Sequence, residues 1–279
     1  MCSAVARFLG AALLLGSLVG PPAPCAADDK LVRIGVLSYR GPDESGTSWS
    51  DLPARLAKAI PGYRFAIHEL PGTKLGEAVE RDELDFVLTN STQYVSLAAE
   101  FGIRRIATVM LPETVSPEQA IGSAVLALAS RDDLRELADL RGRRIAAVAG
   151  DAFGGYLVGA RELLGAGVDL EAGDARMVFV GSPMRLAADA VRDGQADAAI
   201  VRTCVLENLA EKGLLRSAEF KVLGQKMVDG FRCAASTPLY PDWPMAVTRT
   251  VNPQLAKQVA LALLSMPTSP TGLYWDVPA

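Results

Sequence analysis

The sequence is poor in the residues that build metal sites. Its 279 residues include one histidine, His68, and four cysteines. His68 stands in the alternating run Tyr63–His68, which is typical of a strand with one partly exposed face. No group of histidine, cysteine and carboxylate residues has the spacing of metal ligands. We therefore predict neither a metal nor a cofactor.

Catalytic patterns are lacking as well. There is no GxSxG motif, and a nucleophilic Cys204 would have no evident base. The segment Ala149–Tyr156 contains two adjacent glycines but has neither Walker A nor GxGxxG spacing. We therefore expect a protein that is not an enzyme and has no catalytic residues.

Charge of one sign is not concentrated anywhere in the chain. The formal net charge is −4, and no basic stripe runs along a predicted helix. These features argue against a nucleic-acid partner. Because the total charge is negative, the overall field attracts no anion, and any anion site would have to be local.

Residues 1–27 have the pattern of a cleaved signal peptide. Arg7 supplies the positive region, Phe8–Val19 is apolar, and Cys25-Ala26-Ala27 puts small residues before a cleavage point at Asp28. An uncleaved anchor is an alternative, but the apolar run is short for a membrane span. We expect a periplasmic protein with no stable membrane insertion after cleavage.

Cysteine usage adds two further points. Cys25 raises the alternative of a lipoprotein, which Pro22 and Pro24 disfavour because they occupy positions where a lipobox has other residues. Cleavage leaves Cys204 and Cys233, and a cysteine pair in an oxidising compartment is a candidate disulfide. Two separate buried thiols are the alternative.

Short apolar runs and amphipathic segments alternate after the signal peptide. This order is typical of a parallel sheet covered by helices. In the first part of the chain the predicted strands are Leu31–Leu37, Arg64–Leu70 and Phe86–Leu88, and the predicted helices are Asp51–Ile60, Leu75–Arg81 and Gln93–Glu100.

A second series begins after the apolar run Ala120–Ala129, which we interpret as a strand that crosses between two lobes. A proline-rich segment, Ser236–Pro244, ends the series, and Asn252–Leu264 is predicted to be a helix. We assign residues 28–117 and 235–279 to lobe 1 and residues 118–234 to lobe 2. The predicted strands of lobe 2 are Arg144–Val148, Met177–Val180, Ala198–Val201 and Phe220–Leu223, and its predicted helical segments are Asp132–Leu137, Gly155–Leu164, Pro183–Arg192 and Val205–Lys212.

Polar and small residues gather where predicted strands end and helices begin. Ligands of open α/β sheets bind beyond the carboxyl ends of the strands, and helix N-termini there suit anions. Arg202 in particular could hold an oxyanion through two hydrogen bonds. For the junction Leu88–Tyr94 the alternative is ordinary helix capping, for Ala149–Tyr156 it is a plain turn into a helix, and for Arg202 it is a surface salt bridge. The candidate ligand-binding residues are Tyr39 after the first strand; Thr89, Asn90, Ser91 and Tyr94; Phe153, Gly154, Gly155 and Tyr156; and Arg202 and Thr203.

Four segments give the chain a resemblance to a known family. They are Leu88–Tyr94, Phe153–Tyr156, Val201–Glu207 and Ser236–Pro244, of which the last two are the most specific. With them the sequence resembles the phosphonate/phosphate-type substrate-binding proteins of ABC transporters. It is more closely similar to the periplasmic sensor modules of tetrathionate-type histidine kinases, over nearly the whole mature chain.

The resemblance implies an α/β, two-lobed type II periplasmic binding protein fold. Each lobe would be a mostly parallel sheet flanked by helices, and two crossing strands would join the lobes. The sensor modules continue into a membrane helix and a kinase, whereas this sequence ends at Ala279. We expect a free-standing binding component or a truncated member. The resemblance also implies that the cleft is lined by Thr89, Asn90, Ser91, Tyr94, Gly154, Gly155, Arg202 and Thr203.

Two functions are consistent with these features. The first is a periplasmic protein that binds a small oxyanion, such as a phosphonate, phosphate or sulfur oxyanion, and delivers it to an ABC permease or a sensor kinase. The alternative is a redox-responsive sensory component that uses Cys204 and Cys233.

Export can be tested directly on the expressed protein. Because the cleavage pattern ends at Ala27, mass spectrometry of the periplasmic protein should give Asp28 as its N-terminus. Recovery of an intact chain beginning at Met1 from the cytoplasm would contradict the prediction.

Overall fold

The structure is a computed structural model that describes residues 29–38, 49–269 and 272–277. The predicted signal peptide and the candidate site residue Tyr39 lie outside these residues. Within the described part of the chain, no helix has both the length and the apolar character that crossing a membrane requires.

Strands and helices alternate through the first part of the chain, as predicted. The helices α1 to α3 lie within two residues of their predicted bounds, except that α2 begins three residues early. The elements are β1 (Lys30–Leu37), α1 (Leu52–Ala59), β2 (Tyr63–Leu70), α2 (Gly72–Glu80), β3 (Phe86–Leu88), α3 (Ser91–Phe101) and β4 (Arg104–Met110).

The second part of the chain contains a further αβ series and then returns to the first sheet. A 3₁₀ turn at Leu137–Leu140 takes the place of the helical turn that was predicted at Asp132–Leu137, and a π-helical turn, Phe153–Leu157, precedes α4. The elements are β5 (Ser123–Leu128), β6 (Arg144–Ala147), α4 (Val158–Gly165), β7 (Arg176–Phe179), α5 (Arg185–Arg192), β8 (Ala198–Arg202), α6 (Val205–Glu211), β9 (Phe220–Leu223), β10 (Pro244–Val247), α7 (Pro253–Leu264) and β11 (Tyr274–Asp276).

The strands form two sheets, one for each lobe. The first has the order β11-β4-β10-β3-β1-β2, and the second has the order β7-β6-β8-β5-β9. The two-lobed α/β fold is therefore as expected. The limits of the lobes at residues 117/118 and 234/235 stay a prediction, with which this distribution of strands is compatible.

Both sheets are mixed, and most strands of each sheet run in the same direction, as expected. β1 pairs in parallel with β2 and β3, and β6 pairs in parallel with β7 and β8. β5 and β10 are antiparallel to their neighbours. The reason is that each of these strands enters its sheet from the other lobe. It therefore starts at the edge where the parallel strands end and runs the opposite way.

The crossing between lobes is shorter than predicted. Most of the run Ala120–Ala129 is β5, which lies inside the second sheet. The crossing itself is the segment before it, where Ile121 forms an antiparallel bridge with Tyr240 on the returning chain. The strands β4, β10 and β11 were not predicted, because β10 and β11 are short and contain few β-branched residues, and β4 begins with two arginines.

Each sheet is covered on both faces by helices or turns. In the first sheet, Leu52 and Leu56 of α1 pack on one face together with Val259 of α7. Leu75 of α2 and Leu97 of α3 pack on the other face. The second sheet is likewise buried between α5 and α6 on one side and α4 with the 3₁₀ turn on the other.

The close packing of α4 on the second sheet gives a stability prediction. A Cβ atom at Gly159 would lie 2.5 Å from Ile200 Cγ2 and 3.3 Å from Ser123 Cβ. Since both neighbours are buried in the sheet, Gly159→Ala should lower the free energy of unfolding by about 1–3 kcal/mol in urea denaturation.

Gly165→Ala in the same helix is the matched control. A Cβ atom there would have nothing within 4 Å. We expect no loss of stability, or a gain of up to about 1 kcal/mol from the better helix propensity of alanine. Equal effects of the two substitutions would show that close packing at Gly159 is not what matters.

Candidate functional site

A cavity of about 320 Å³ lies between the two sheets, at the carboxyl ends of their strands. This is the position at which open α/β sheets bind ligands. From the first lobe it is lined by Val36, Leu37, Ser38, Trp49, Glu69, Val109, Leu111, Asp242, Trp243 and Leu273, and from the second lobe and its crossing by Ile121, Val148, Ala152, Ser182, Met184 and Arg202.

The walls of the cavity are mostly apolar, with a few polar groups. Trp49 and Trp243 contribute two large aromatic surfaces, and Ser38 and Ser182 contribute hydroxyl groups. Apolar walls with a few placed polar groups are typical of small-molecule sites. Three of the lining residues are ionisable, namely Glu69, Arg202 and Asp242.

Arg202 reaches the cavity because β8 ends there. The four residues before it, Ala198–Val201, are fully buried, so Arg202 is the first side chain of the strand that leaves the core. One of its terminal guanidinium nitrogens lies 3.0 Å from Oδ2 of Asp242, and its side chain keeps 25% of its exposure. Among the sequence-predicted site residues, Arg202 is the one that lines this cavity within the described part of the chain.

Asp242 is the partner that the sequence analysis did not identify. Its side chain is 6% exposed. Burial raises the pKa of this carboxyl above its ordinary value, although the positive charge of Arg202 opposes the rise. The ion pair between Arg202 and Asp242 joins the two lobes, whereas the other ion pairs between described residues connect residues within one lobe.

The segment that carries Asp242 is fixed from both lobes. The Ser91 hydroxyl donates to the carbonyl oxygens of Pro241, at 2.7 Å, and Asp242, at 3.2 Å. On the other side, the rings of Phe153 and Tyr240 pack edge to face with centroids 5.8 Å apart. These contacts explain why Asp242 is held close to Arg202.

The junction Thr89–Tyr94 has structural contacts of its own. Asn90 caps α3 by accepting a hydrogen bond from the Gln93 N–H at 2.7 Å. Thr89 is fully buried, and the Tyr94 hydroxyl accepts a hydrogen bond from the Arg105 N–H at 3.3 Å. None of these residues lines the cavity, so their contact with a ligand stays a prediction.

The junction Phe153–Tyr156 packs against the crossing and the second sheet. A Cβ atom on Gly154 would lie 2.9 Å from Ile121 Cδ1, and one on Gly155 would lie 2.8 Å from Val148 Cγ1. Close packing between protein segments is thus one reason for glycine at these positions, and the contact of this junction with a ligand stays a prediction. Tyr156 stacks edge to face on Phe179 at 5.4 Å, and burial raises its pKa.

Thr203 and the cysteines hold the end of β8 in place. The buried Thr203 hydroxyl accepts a hydrogen bond from the Gly122 N–H at 3.2 Å. Cys204, with a left-handed φ of 67°, forms a disulfide with Cys233, and their Cα atoms are 5.0 Å apart. The expected disulfide is therefore present in the structure, directly beside Arg202.

Signals for some of the missed residues were present in the sequence. Glu69 lies at the end of a correctly predicted strand, where the rule that ligands bind at strand ends applies. Asp242 and Trp243 belong to a block that carried the family resemblance but received no role. Nothing in the local pattern pointed to Trp49 or Met184.

A metal site is not supported by the described part of the chain. Among those residues, no group of three or more histidine, cysteine, aspartate or glutamate side chains could hold a metal ion. His68 lies on the edge strand β2 and is exposed.

Comparisons with known proteins agree with the fold and the cleft. The family model described as "ABC transporter, phosphonate, periplasmic substrate-binding protein" matches residues 34–275. The tetrathionate sensor histidine kinase TtrS of Salmonella typhimurium is 34% identical over 249 residues, which cover 88% of this chain and 41% of the kinase. The chain thus spans about two fifths of the length of that relative.

Two solved structures share the fold at low sequence identity. A binding protein component of an ABC phosphonate transporter from Pseudomonas aeruginosa has a TM-score of 0.65 and 13% identity, with coverage of 89% of this chain and 82% of that one. PhnD1 from Prochlorococcus marinus, in complex with methylphosphonate, has a TM-score of 0.62 and 16% identity, with coverage of 85% of each chain.

The disulfide gives a second stability prediction. The bond closes a loop with a sequence separation of 29 residues. In the chain-entropy model, replacing both Cys204 and Cys233 by serine should lower the free energy of unfolding by about 3–4 kcal/mol. Urea denaturation of the oxidised protein and of the double variant measures the difference. Labelling of both thiols in denatured periplasmic protein without reductant would contradict the bond.

Proposed function

The chain belongs to the phosphonate-type periplasmic substrate-binding protein family of ABC transporters, and we propose that it binds a small oxyanion between its lobes. The observation that carries this proposal is the position of Arg202, a cation at the end of β8 whose side chain lines the interlobe cavity. A guanidinium group matches the geometry of phosphonate, phosphate and sulfur oxyanions.

The size and walls of the cavity support a small ligand. A volume of about 320 Å³ is at the lower end of the range of small-molecule sites. The apolar walls exclude water from the bound anion, which strengthens its attraction to Arg202. The hydroxyl groups of Ser38 and Ser182 would add neutral donors. Closure of the two lobes on a hinge would complete the site.

The partners follow from the family and from the relatives. We propose that the protein acts in the periplasm. It delivers its ligand to an ABC permease, or its ligand-bound form binds a sensor kinase. The relative named for tetrathionate sensing favours a sulfur oxyanion. The structure that holds methylphosphonate favours a phosphonate. We propose no chemical conversion of the ligand.

A second candidate function is redox-responsive sensing. The observation that favours it is the direct sequence Arg202-Thr203-Cys204, which puts the disulfide next to the proposed anion contact. Reduction would free the start of α6 and could shift Arg202. Comparison of ligand affinity between oxidised and reduced protein tests this, and equal affinities would leave the disulfide as a structural bond only.

Arg202→Ala tests the leading proposal. A thermal-shift screen of phosphate, methylphosphonate, sulfate and tetrathionate first identifies a ligand, since ligand at about 100 times its Kd adds roughly 2.7 kcal/mol of stability. Loss of a charge-assisted contact to a buried anion should then weaken binding by about 2–5 kcal/mol, well over tenfold, in calorimetry. Circular dichroism checks that the variant is folded.

Arg185→Ala is the matched control. Arg185 lies in the same lobe and is also paired with a carboxylate, Asp189, but it does not line the cavity. Its removal should leave affinity unchanged. If Arg202→Ala binds the ligand as tightly as this control does, Arg202 is not the anion contact.

A further inference from the structure

Among the described residues that line the interlobe cavity, acidic groups outnumber basic groups. Of its three ionisable lining residues, Arg202 is a cation and Glu69 and Asp242 are carboxylic acids. Among the described lining residues, the positive group that an anion meets is Arg202, which is already paired with Asp242. In a water-poor site the repulsion between the anion and the Asp242 carboxylate is poorly screened.

The contact between Arg202 and Asp242 can be displaced. It consists of one nitrogen–oxygen contact of 3.0 Å, rather than a two-point arrangement of guanidinium and carboxylate. Both side chains line the cavity, so the carboxylate occupies the same space as a ligand that approaches the guanidinium. Asp242 is therefore placed as an internal competitor for the anion.

A displaced Asp242 has little to stabilise its charge. Its side chain is 6% exposed, so water cannot replace the lost contact with Arg202. Besides Arg202, the Trp243 N–H stabilises the carboxylate, whereas the charge of Glu113 opposes ionisation. Glu69 also lines the cavity. An ionised Asp242 next to a bound anion would be a buried, uncompensated charge, which is costly.

We propose that Asp242 makes anion binding at Arg202 depend on the uptake of a proton. In the free protein its carboxylate holds Arg202. When an oxyanion takes Arg202, the carboxylate accepts one proton from solvent and becomes a neutral carboxylic acid. This inference rests on the proposed function of Arg202 as the anion contact.

The direction of the pH dependence follows from this exchange. Burial already raises the pKa of Asp242, and the positive charge of Arg202 is the largest effect that lowers it. Sharing Arg202 with an anion weakens that effect, so the pKa of Asp242 is higher in the complex than in the free protein. The complex therefore binds more protons than the free protein does. Affinity should rise as the pH falls, by up to about tenfold per pH unit between the two pKa values.

The decisive experiment is calorimetry with anions whose own charge does not change. Tetrathionate and sulfate serve as probes, since both stay fully ionised from about pH 5 to about pH 8. Titrations in two buffers of different ionisation enthalpy count the protons that are taken up. The wild-type protein should take up close to one proton per anion and should bind more weakly as the pH rises.

Asp242→Asn removes the titrating group and keeps a similar shape. We expect this variant to take up no proton, to bind with little pH dependence and to exceed the wild-type affinity at about pH 8. Asp85→Asn is the matched control, because Asp85 is also paired with an arginine, Arg33, but lies outside the cavity. It should behave as wild type. Glu69→Gln should retain the proton uptake, which identifies Asp242 rather than Glu69 as the acceptor.

The outcomes separate this inference from the proposed function. Anion binding by the wild type without proton uptake, or weaker binding by Asp242→Asn, overturns the inference and makes Asp242 a residue that merely positions Arg202. Binding of the probes by Asp242→Asn alone supports it. If neither protein binds either probe, and no phosphate or phosphonate of the thermal-shift screen binds either, Arg202 is no anion site and both proposals fall. If Asp242→Asn does not fold, the proton uptake of the wild-type protein tests the inference by itself, because binding without uptake contradicts it.

Discussion

The paired crossing of the chain between its lobes is the constraint on which the rest of the structure depends. Ile121 and Tyr240 exchange backbone hydrogen bonds of 2.9 and 2.8 Å where the two crossings meet. Because both crossings enter their sheets at this point, β5 and β10 run against the neighbouring parallel strands. The same meeting point explains why glycine stands at Gly122 and Gly154, where a Cβ atom would collide with the opposite segment.

The crossing also determines what faces the cavity. The returning segment leads directly into Asp242 and Trp243, while Thr203 is tied to Gly122 beside the outgoing crossing. Arg202 and Asp242, which are 40 residues apart in sequence, are thereby brought within 3.0 Å. The proposed anion contact and the link between the lobes thus share one pair of side chains. Any anion that engages the guanidinium also acts on the contact that joins the lobes, which is how binding would influence lobe closure.

The electrostatics of the site are local rather than global. The chain carries a net charge of −4, and the described residues that line the cavity include one cation and two acidic groups. Such an arrangement does not attract anions over long distances. The proposed anion would have to be held by direct contact in a space with apolar walls, where each charge must be paired or neutralised.

Sequence by itself determined the αβ order, most element bounds, the two-lobed fold, the cysteine pair and the position of Arg202 at a strand end that lines the cavity. These features depend on local periodicity, on the rule that ligands meet the ends of parallel strands, and on motifs that are contiguous in the chain. Only the tertiary structure decided that β5 and β10 are antiparallel, that Gly154 and Gly155 serve packing, and that Asp242 faces Arg202. The physical reason is that each of these features depends on which distant segments of the chain meet at the crossing. A local pattern of residues does not show which distant segments are close in space.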